Sequence, residues 1–191
     1  MIRPESPGDH DAVRGVHSRA FAGDPRVPAL VDALRAARAA LPTVSLVSTV
    51  DDTVAGHVML SACRLDTTPR LVDVYSLSPL GVLPEYQRRG TGTALVARAL
   101  AEADARGVPL VFLEGSPRYY GTRGFQDATG LEFRPPTLRY PPGAFQVARL
   151  SGYEEWMTGT FVYSEPFWAH DCVGLRGDKL DQVTAYLNRM G

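Results

Sequence analysis

Lysine is nearly absent. Among the 20 basic residues of this 191-residue chain, Lys179 stands alone and the rest are arginine, which reads as a bias of codon composition. Cysteine is scarce too. Cys63 and Cys172 make no disulfide framework and fit two reduced thiols in a cytosolic protein. Excess charge is missing: a formal net charge of -1 argues against holding nucleic acid by counterion release. No apolar run approaches the ~20 residues of a membrane span, and Met1 to Pro7 lacks the apolar core of a signal peptide. Metal ligands do not gather. His170, Asp171 and Cys172 adjoin, but Cys63, His10 and His17 lie far off in sequence, so zinc spacing is lacking. There is no internal repeat and no low-complexity segment. What is present, 45% hydrophobic and 21% charged residues, is ordinary for a soluble globular protein, and the length suits one domain with a sizeable core.

One stretch, Ser78 to Phe125, organises the rest. Val72, Val74, Tyr75, Leu77, Leu80, Val82 and Leu83 form a β-prone run that should stop near Pro84, which cannot donate a ladder hydrogen bond. Gln87-Arg88-Arg89-Gly90-Thr91-Gly92-Thr93 follows, then a helical pattern from Ala94 to Arg106. The first amides of a helix lack intrahelical partners and carry the positive end of its macrodipole. Glycine lets an anion approach them. The run therefore predicts a phosphate or pyrophosphate cradle. It matches two glycines of a dinucleotide fingerprint but has Leu95 at the third small position, and it sits mid-chain. No Lys-Ser or Lys-Thr pair accompanies it, which excludes a Walker loop.

Elsewhere the pattern predicts a first strand at Ile2-Arg3-Pro4 and a helix from an Asp9 cap to Phe21, broken by Gly23-Asp24-Pro25. A second helix is expected over Pro28 to Ala40. Val44–Val50 and Val54–Arg64 should pair about Asp51-Asp52. Leu110 to Leu113 reads as a strand buried on both faces, parallel to the run before the cradle because a helix joins the two. A short helix with Tyr119 and Tyr120 follows. Leu131–Arg134 and Phe145–Leu150 are expected as an antiparallel pair, Gly159–Tyr163 as a strand and Asp178–Arg189 as a helix. The aromatic tail (Trp156, Phe161, Tyr163, Phe167, Trp168) reads as a lid packed on the core. No Lys or Arg lies between Leu150 and Leu175, as a base-stacking surface would need.

Gln87-x-x-Gly90-x-Gly92 behind Val82-x-Pro84-Glu85-Tyr86 resembles motif A of the GNAT superfamily of acyl-CoA N-acyltransferases. Tyr120-Gly-Thr-Arg-Gly124-Phe125 resembles its second hallmark, an aromatic-containing helix ending in Gly-Phe, at the separation the family shows. Leu77 to Val82 and Leu113 to Tyr120 resemble a bacterial branch of predicted acetyltransferases. The resemblance is specific over Tyr75 to Phe125, extends over Ile2 to Leu150 and is weakest after Ser151. It implies an α/β fold: a mostly antiparallel, twisted central sheet with one parallel βαβ pair splayed at the acyl-CoA site, flanked by helices. Residues 1–150 would be the transferase domain. Residues 151–191 would pack on it or on a second subunit of a homodimer.

The resemblance also implies transfer of an acyl group, usually acetyl, from acetyl-CoA to a primary amine of a small molecule, peptide or protein, in the cytoplasm, with no metal. Gln87, Arg88, Arg89, Gly90, Thr91, Gly92 and Thr93 would hold the pyrophosphate. The strand edge at Leu80, Gly81 and Val82 would pair with the pantetheine arm, with a bulge over Pro79 to Gly81, and a backbone N–H there would polarise the thioester carbonyl. Tyr120 occupies the family's general-acid position; with a pKa near ~10 it is protonated at neutral pH and can donate to the departing thiolate. Tyr119, about 100° round a helix, should point elsewhere. The base stays open: Glu114 first, then Asp73 and His57, or a chain of waters. Ser116 and Arg118 are unranked contacts. Two rival readings are an acyl-CoA-binding module without turnover and a nicotinamide enzyme on a Rossmann fold.

Overall fold

Asp51 and Asp52 adopt left-handed φ values of 45° and 59°, as a two-residue hairpin turn requires. From that turn strands β2 (Val44–Val50) and β3 (Thr53–Thr67) run antiparallel. The computed structural model describes residues 1–190, with side chains through residue 186. Before the hairpin come β1 (Ile2–Pro4), α1 (His10–Ala20) and α2 (Arg26–Ala36). After it come β4 (Leu71–Val82), α3 (Thr91–Ala105), β5 (Leu110–Glu114) and α4 (Pro117–Tyr120). Then follow β6 (Gln126–Asp127), β7 (Phe145–Arg149), β8 (Gly159–Val162), α5 (Glu165–Ala169) and α6 (Gly177–Met190).

The strands form one sheet in the order β1-β2-β3-β4-β5-β7-β6, with β8 added to the far half of β3. Every pairing is antiparallel except β4 with β5. These two are joined by α3, and the crossover makes them parallel. They pair at Tyr75↔Val111 and Ser76↔Phe112, so the carboxyl-terminal part of β4 is released from its neighbour. This is the mostly antiparallel sheet with one splayed parallel pair that the sequence led us to expect.

Each face of the sheet buries its own apolar cluster. Leu95, Val96, Ala99 and Ala103 put one stripe of α3 on Leu60, Tyr75 and Leu77, the i, i+4, i+8 spacing of a helix buried on one side. On the other face Val13 and Val16 of α1 and Leu30, Val31 and Leu34 of α2 cover Val47, Met59 and Val74. Phe161, Tyr163 and Phe167 from the tail join that second cluster. Trp156 packs on it half-buried, and Trp168 is exposed.

Two elements differ most from expectation. Leu131 to Arg134 is not a strand: residues Thr129–Leu131 form a 3-10 turn, Glu132 is left-handed, and Arg134 makes one isolated bridge to Thr160. Pro135-Pro136 follow, and two residues without amide donors cannot extend a ladder. The antiparallel partners of β7 are β5 and β6 instead. Helix α2 starts two residues early and ends at Ala36, where Ala37 turns extended.

Candidate active site

The bulge in β4 comes first, because it aims everything after it. Pairing with β3 passes from Val58↔Leu80 to Leu60↔Leu77. One extra residue of β4 is therefore accommodated at Ser78-Pro79, just upstream of the expected place. Past the bulge, Leu83 N–H donates to Ala55 O at 2.9 Å. Bonded pairs alternate in an antiparallel ladder, so His57 and Gly81 form the next one. Leu80 and Val82 thus turn their amides to the open edge facing β5. Gln87 folds back to that edge and donates Nε2–H to Val82 O at 3.0 Å.

The turn into α3 is built from local conformation. Arg88 and Gly90 both have positive φ, 58° and 84°. Gly90 has open space around it, so its role is conformational. The first bond into the helix runs from Ala94 N–H to Gly90 O at 2.9 Å, which leaves the amides of Thr91, Gly92 and Thr93 unpaired by the helix. A cavity of about 370 Å³ lies here, lined by Leu80, Val82, Gln87, Arg88, Gly92, Tyr119, Tyr120 and Phe21. Six residues expected at the site thus converge on one space. Thr93 points its hydroxyl to Arg123 Nε at 2.9 Å, Arg89 lies over the Tyr86 ring, and Thr91 packs beside Gly56. None of these last three residues lines the cavity.

Tyr119 departs from expectation. Its ring turns into the cradle, where a Cβ at Gly92 would collide with its hydroxyl. Arg123 holds it there, with the guanidinium 3.7 Å from the ring centroid. The four-residue α4 runs straight into a 3-10 turn over Gly121–Arg123, so a helical wheel does not fix side-chain direction. The Ser116 hydroxyl caps α4 through Tyr119 N–H. Tyr120 packs edge-on to Phe125 and against Gly115, where no Cβ would fit. Burial pushes its hydroxyl further above the usual tyrosine range, so it stays protonated and able to donate.

A second cavity, of about 390 Å³, opens on the α1–α2 side of the sheet. Phe21, Leu80 and Tyr120 line both cavities. Glu114 lies in the second one. Its Oε1 accepts from Tyr140 O–H at 2.7 Å and its Oε2 from Gly174 N–H at 3.0 Å, and burial raises its pKa. The remaining wall includes Asp24 before α2, Arg26 at its start, and Asp171, Cys172 and Lys179 from the tail. Asp73 is elsewhere, paired with Arg64 at 3.0 Å. Among the described residues no three His, Cys, Asp or Glu side chains come together as a metal site.

His57 lines neither cavity. It is fully buried and belongs to a chain of hydrogen bonds. Ser45 O–H donates to Glu5, so Ser45 Oγ accepts from His57 Nε2 at 2.8 Å. His57 Nδ1 then accepts from His17 Nε2 at 2.7 Å. His17 Nδ1 is left buried and without a partner, facing Gly81, where a Cβ would sit 2.8 Å from it. Gly81 is therefore bare on the side that packs on α1. Burial, with the Arg35 charge adding, pushes His17 down to about 4. The unfolded chain, with a histidine near ~6.5, takes up a proton that the native state refuses between those two values. Native stability is then full above pH ~6.5 and falls by about 3 kcal/mol as pH approaches 4. Urea unfolding at pH 7.5 and 4.5 should show the loss. Burial also holds the neighbouring His57 well below the usual range, so His17→Gln should reduce the loss and His17→Gln with His57→Gln should reduce it further. An equal loss in the wild type and in His17→Gln would contradict a neutral buried His17.

The profile of the Acetyltransferase (GNAT) domain matches residues 1–128. The uncharacterized N-acetyltransferase YjhQ of Escherichia coli K12 is 30% identical over 161 residues, covering 83% of this chain and 88% of that protein. The crystal structure of the GNAT family N-acetyltransferase YhbS of Escherichia coli in complex with CoA superposes with a TM-score of 0.75 at 30% identity, covering 87% of this chain and 91% of that one. A GNAT family acetyltransferase of Brucella melitensis in complex with acetyl-CoA gives 0.70 at 29%, covering 87% and 97%. The chain belongs to the GNAT superfamily of N-acetyltransferases. No described helix is long and apolar enough to cross a membrane.

Proposed function

We propose that this protein moves acetyl from acetyl-CoA to a primary amine by direct attack, with the cofactor in the first cavity and the amine in the second. The observation that carries the reading is that the two cavities meet at Leu80 and Tyr120. The CoA and acetyl-CoA complexes of the two structural relatives support the choice of cofactor. The amides of Thr91, Gly92 and Thr93 take the pyrophosphate at the positive end of α3. The freed edge at Leu80 and Val82 pairs with the pantetheine arm, and an amide of that edge stabilises the oxyanion. Gln87 and Arg88 border the cradle. Gly81 contributes backbone conformation and room for His17.

Attack on the carbonyl carbon forms the C–N bond and breaks the C–S bond. Tyr120 donates its hydroxyl proton to the departing sulfur. Glu114 receives the amine proton; a carboxylate raised by burial is a better base than an exposed one. Cys172 does not compete as an acyl carrier, because burial pushes its thiol up to about 11 and a thiol is a weak nucleophile.

The test is thiol release from acetyl-CoA against a panel of small amines and peptides. Turnover with at least one amine supports the reading. Tight acetyl-CoA binding without turnover across the panel would favour a binding module, and NAD binding in its place would favour a nicotinamide enzyme.

The cradle has its own test. Gly92→Val places a branched side chain where the Tyr119 hydroxyl now reaches, with Val82 close by. Calorimetry should show coenzyme A bound at least ~10-fold more weakly, about 1.4 kcal/mol, to a folded protein. Unchanged affinity would remove this turn from the cofactor site.

A further inference from the structure

A transferase that delivers acetyl to amines exposes its own amines to the same chemistry. This chain offers two kinds of primary amine, the α-amine of Met1 and the side chain of Lys179, since every other Lys or Arg position is arginine. The Met1 amine donates to Thr49 O at 2.8 Å, at the outer edge of the sheet. Lys179 is different. It stands in the first turn of α6 and lines the second cavity together with Leu80, Tyr120 and Glu114. Its charge is near enough to Asp24, on the same wall, to help hold that carboxyl low. Its four-carbon stem is flexible and ends in a compact point charge. Lys179, Tyr120 and Glu114 thus border one shared cavity of about 390 Å³.

We propose that Lys179 is an internal acetyl acceptor, a self-modification site on the wall of the amine cavity. The step rests on the acetyl-CoA reading above. The Lys179 ammonium first loses one proton to solvent; the freed Nζ lone pair attacks the thioester carbonyl, the C–N bond forms and the C–S bond breaks. Tyr120 protonates the sulfur and Glu114 receives the proton that nitrogen loses. The products are one N-acetyl-lysine and free coenzyme A. No further reactant is needed. Acetylation removes a positive charge from a wall that also carries Asp24, Asp171 and Arg26, and it leaves an amide in the space an incoming amine would use. The modified enzyme should therefore bind acceptor amines differently while holding acetyl-CoA as before.

The experiment incubates the full chain with acetyl-CoA alone and follows intact mass and peptide mapping. Expected is one added acetyl group, mapped to Lys179, at a rate independent of protein concentration. It should be roughly 10²–10⁴-fold slower in Tyr120→Phe. Lys179→Arg should take up no acetyl at this site. Added coenzyme A should inhibit. Equal acetylation of Lys179 in the wild type, in Tyr120→Phe and in urea-unfolded protein would show solution chemistry and overturn the proposal. A rate proportional to protein concentration would assign the event to encounters between copies and overturn it too. An unmodified Lys179 in enzyme that acetylates added amines overturns this inference alone. An unmodified Lys179 in protein that acetylates nothing overturns the acetyl-transfer reading with it.

Discussion

Replacing Tyr120 by Phe should lower kcat by roughly 10²–10⁴-fold and leave acetyl-CoA affinity nearly unchanged. The ring is fixed by packing against Phe125 and Gly115, and Phe keeps that packing. Only the hydroxyl is lost, and with it the proton for the departing sulfur. Because burial keeps this hydroxyl protonated, the loss should persist across the neutral pH range. Tyr119→Phe separates the two neighbours. Its hydroxyl touches the cradle at Gly92, so its removal should alter the affinity for acetyl-CoA more than kcat. Wild-type turnover in Tyr120→Phe, with acyl transfer shown to limit the rate, would sink the assignment.

The second large effect concerns stability. Phe161 is fully buried. Its ring stacks on Phe112 at 4.5 Å and meets Tyr163 edge-on at 4.7 Å, and its backbone pairs with Leu65 through β8. Phe161→Ala should cost about 3–5 kcal/mol through lost burial and the cavity left behind. The consequence should reach the acceptor side. Gly174, tied to Glu114, and Lys179 follow this anchor in the chain and line the second cavity. In protein that still folds, the amine KM should rise while acetyl-CoA binding changes little. A loss below about 1 kcal/mol would mean that the tail is not anchored by this ring.

The parts of the site that local sequence controls were legible before the fold was known. Pro84 ends β4, the glycine-bearing turn at Gly90 opens α3, and Gly124 at φ 88° closes the turn after Tyr120. The all-apolar run at Leu110 to Leu113 reads as a strand covered on both faces, and its side chains are almost entirely buried. What stayed hidden depends on distant contacts. His17 and His57 are 40 positions apart, and nothing near Gly81 announces the ring behind it. The alternation of Leu131 and Phe133 imitates a strand, but Glu132 between them is left-handed and Leu131 ends a 3-10 turn. Tyr119 is aimed by Arg123, whose sequence signal was only its place one residue before Gly124. Lys179 carried no signal beyond rarity, and the fold alone puts it on the wall of the cavity that Tyr120 also lines.

The most direct test of two cavities sharing one reaction point is a crystal structure with acetyl-CoA bound. The account predicts pyrophosphate oxygens within about 3.2 Å of the amides of Thr91, Gly92 and Thr93. It predicts the pantetheine arm along Leu80 and Val82, and the sulfur within hydrogen-bond reach of the Tyr120 hydroxyl, with the acetyl group facing Glu114. A cofactor whose thioester lies away from the junction of Leu80 and Tyr120 would contradict it.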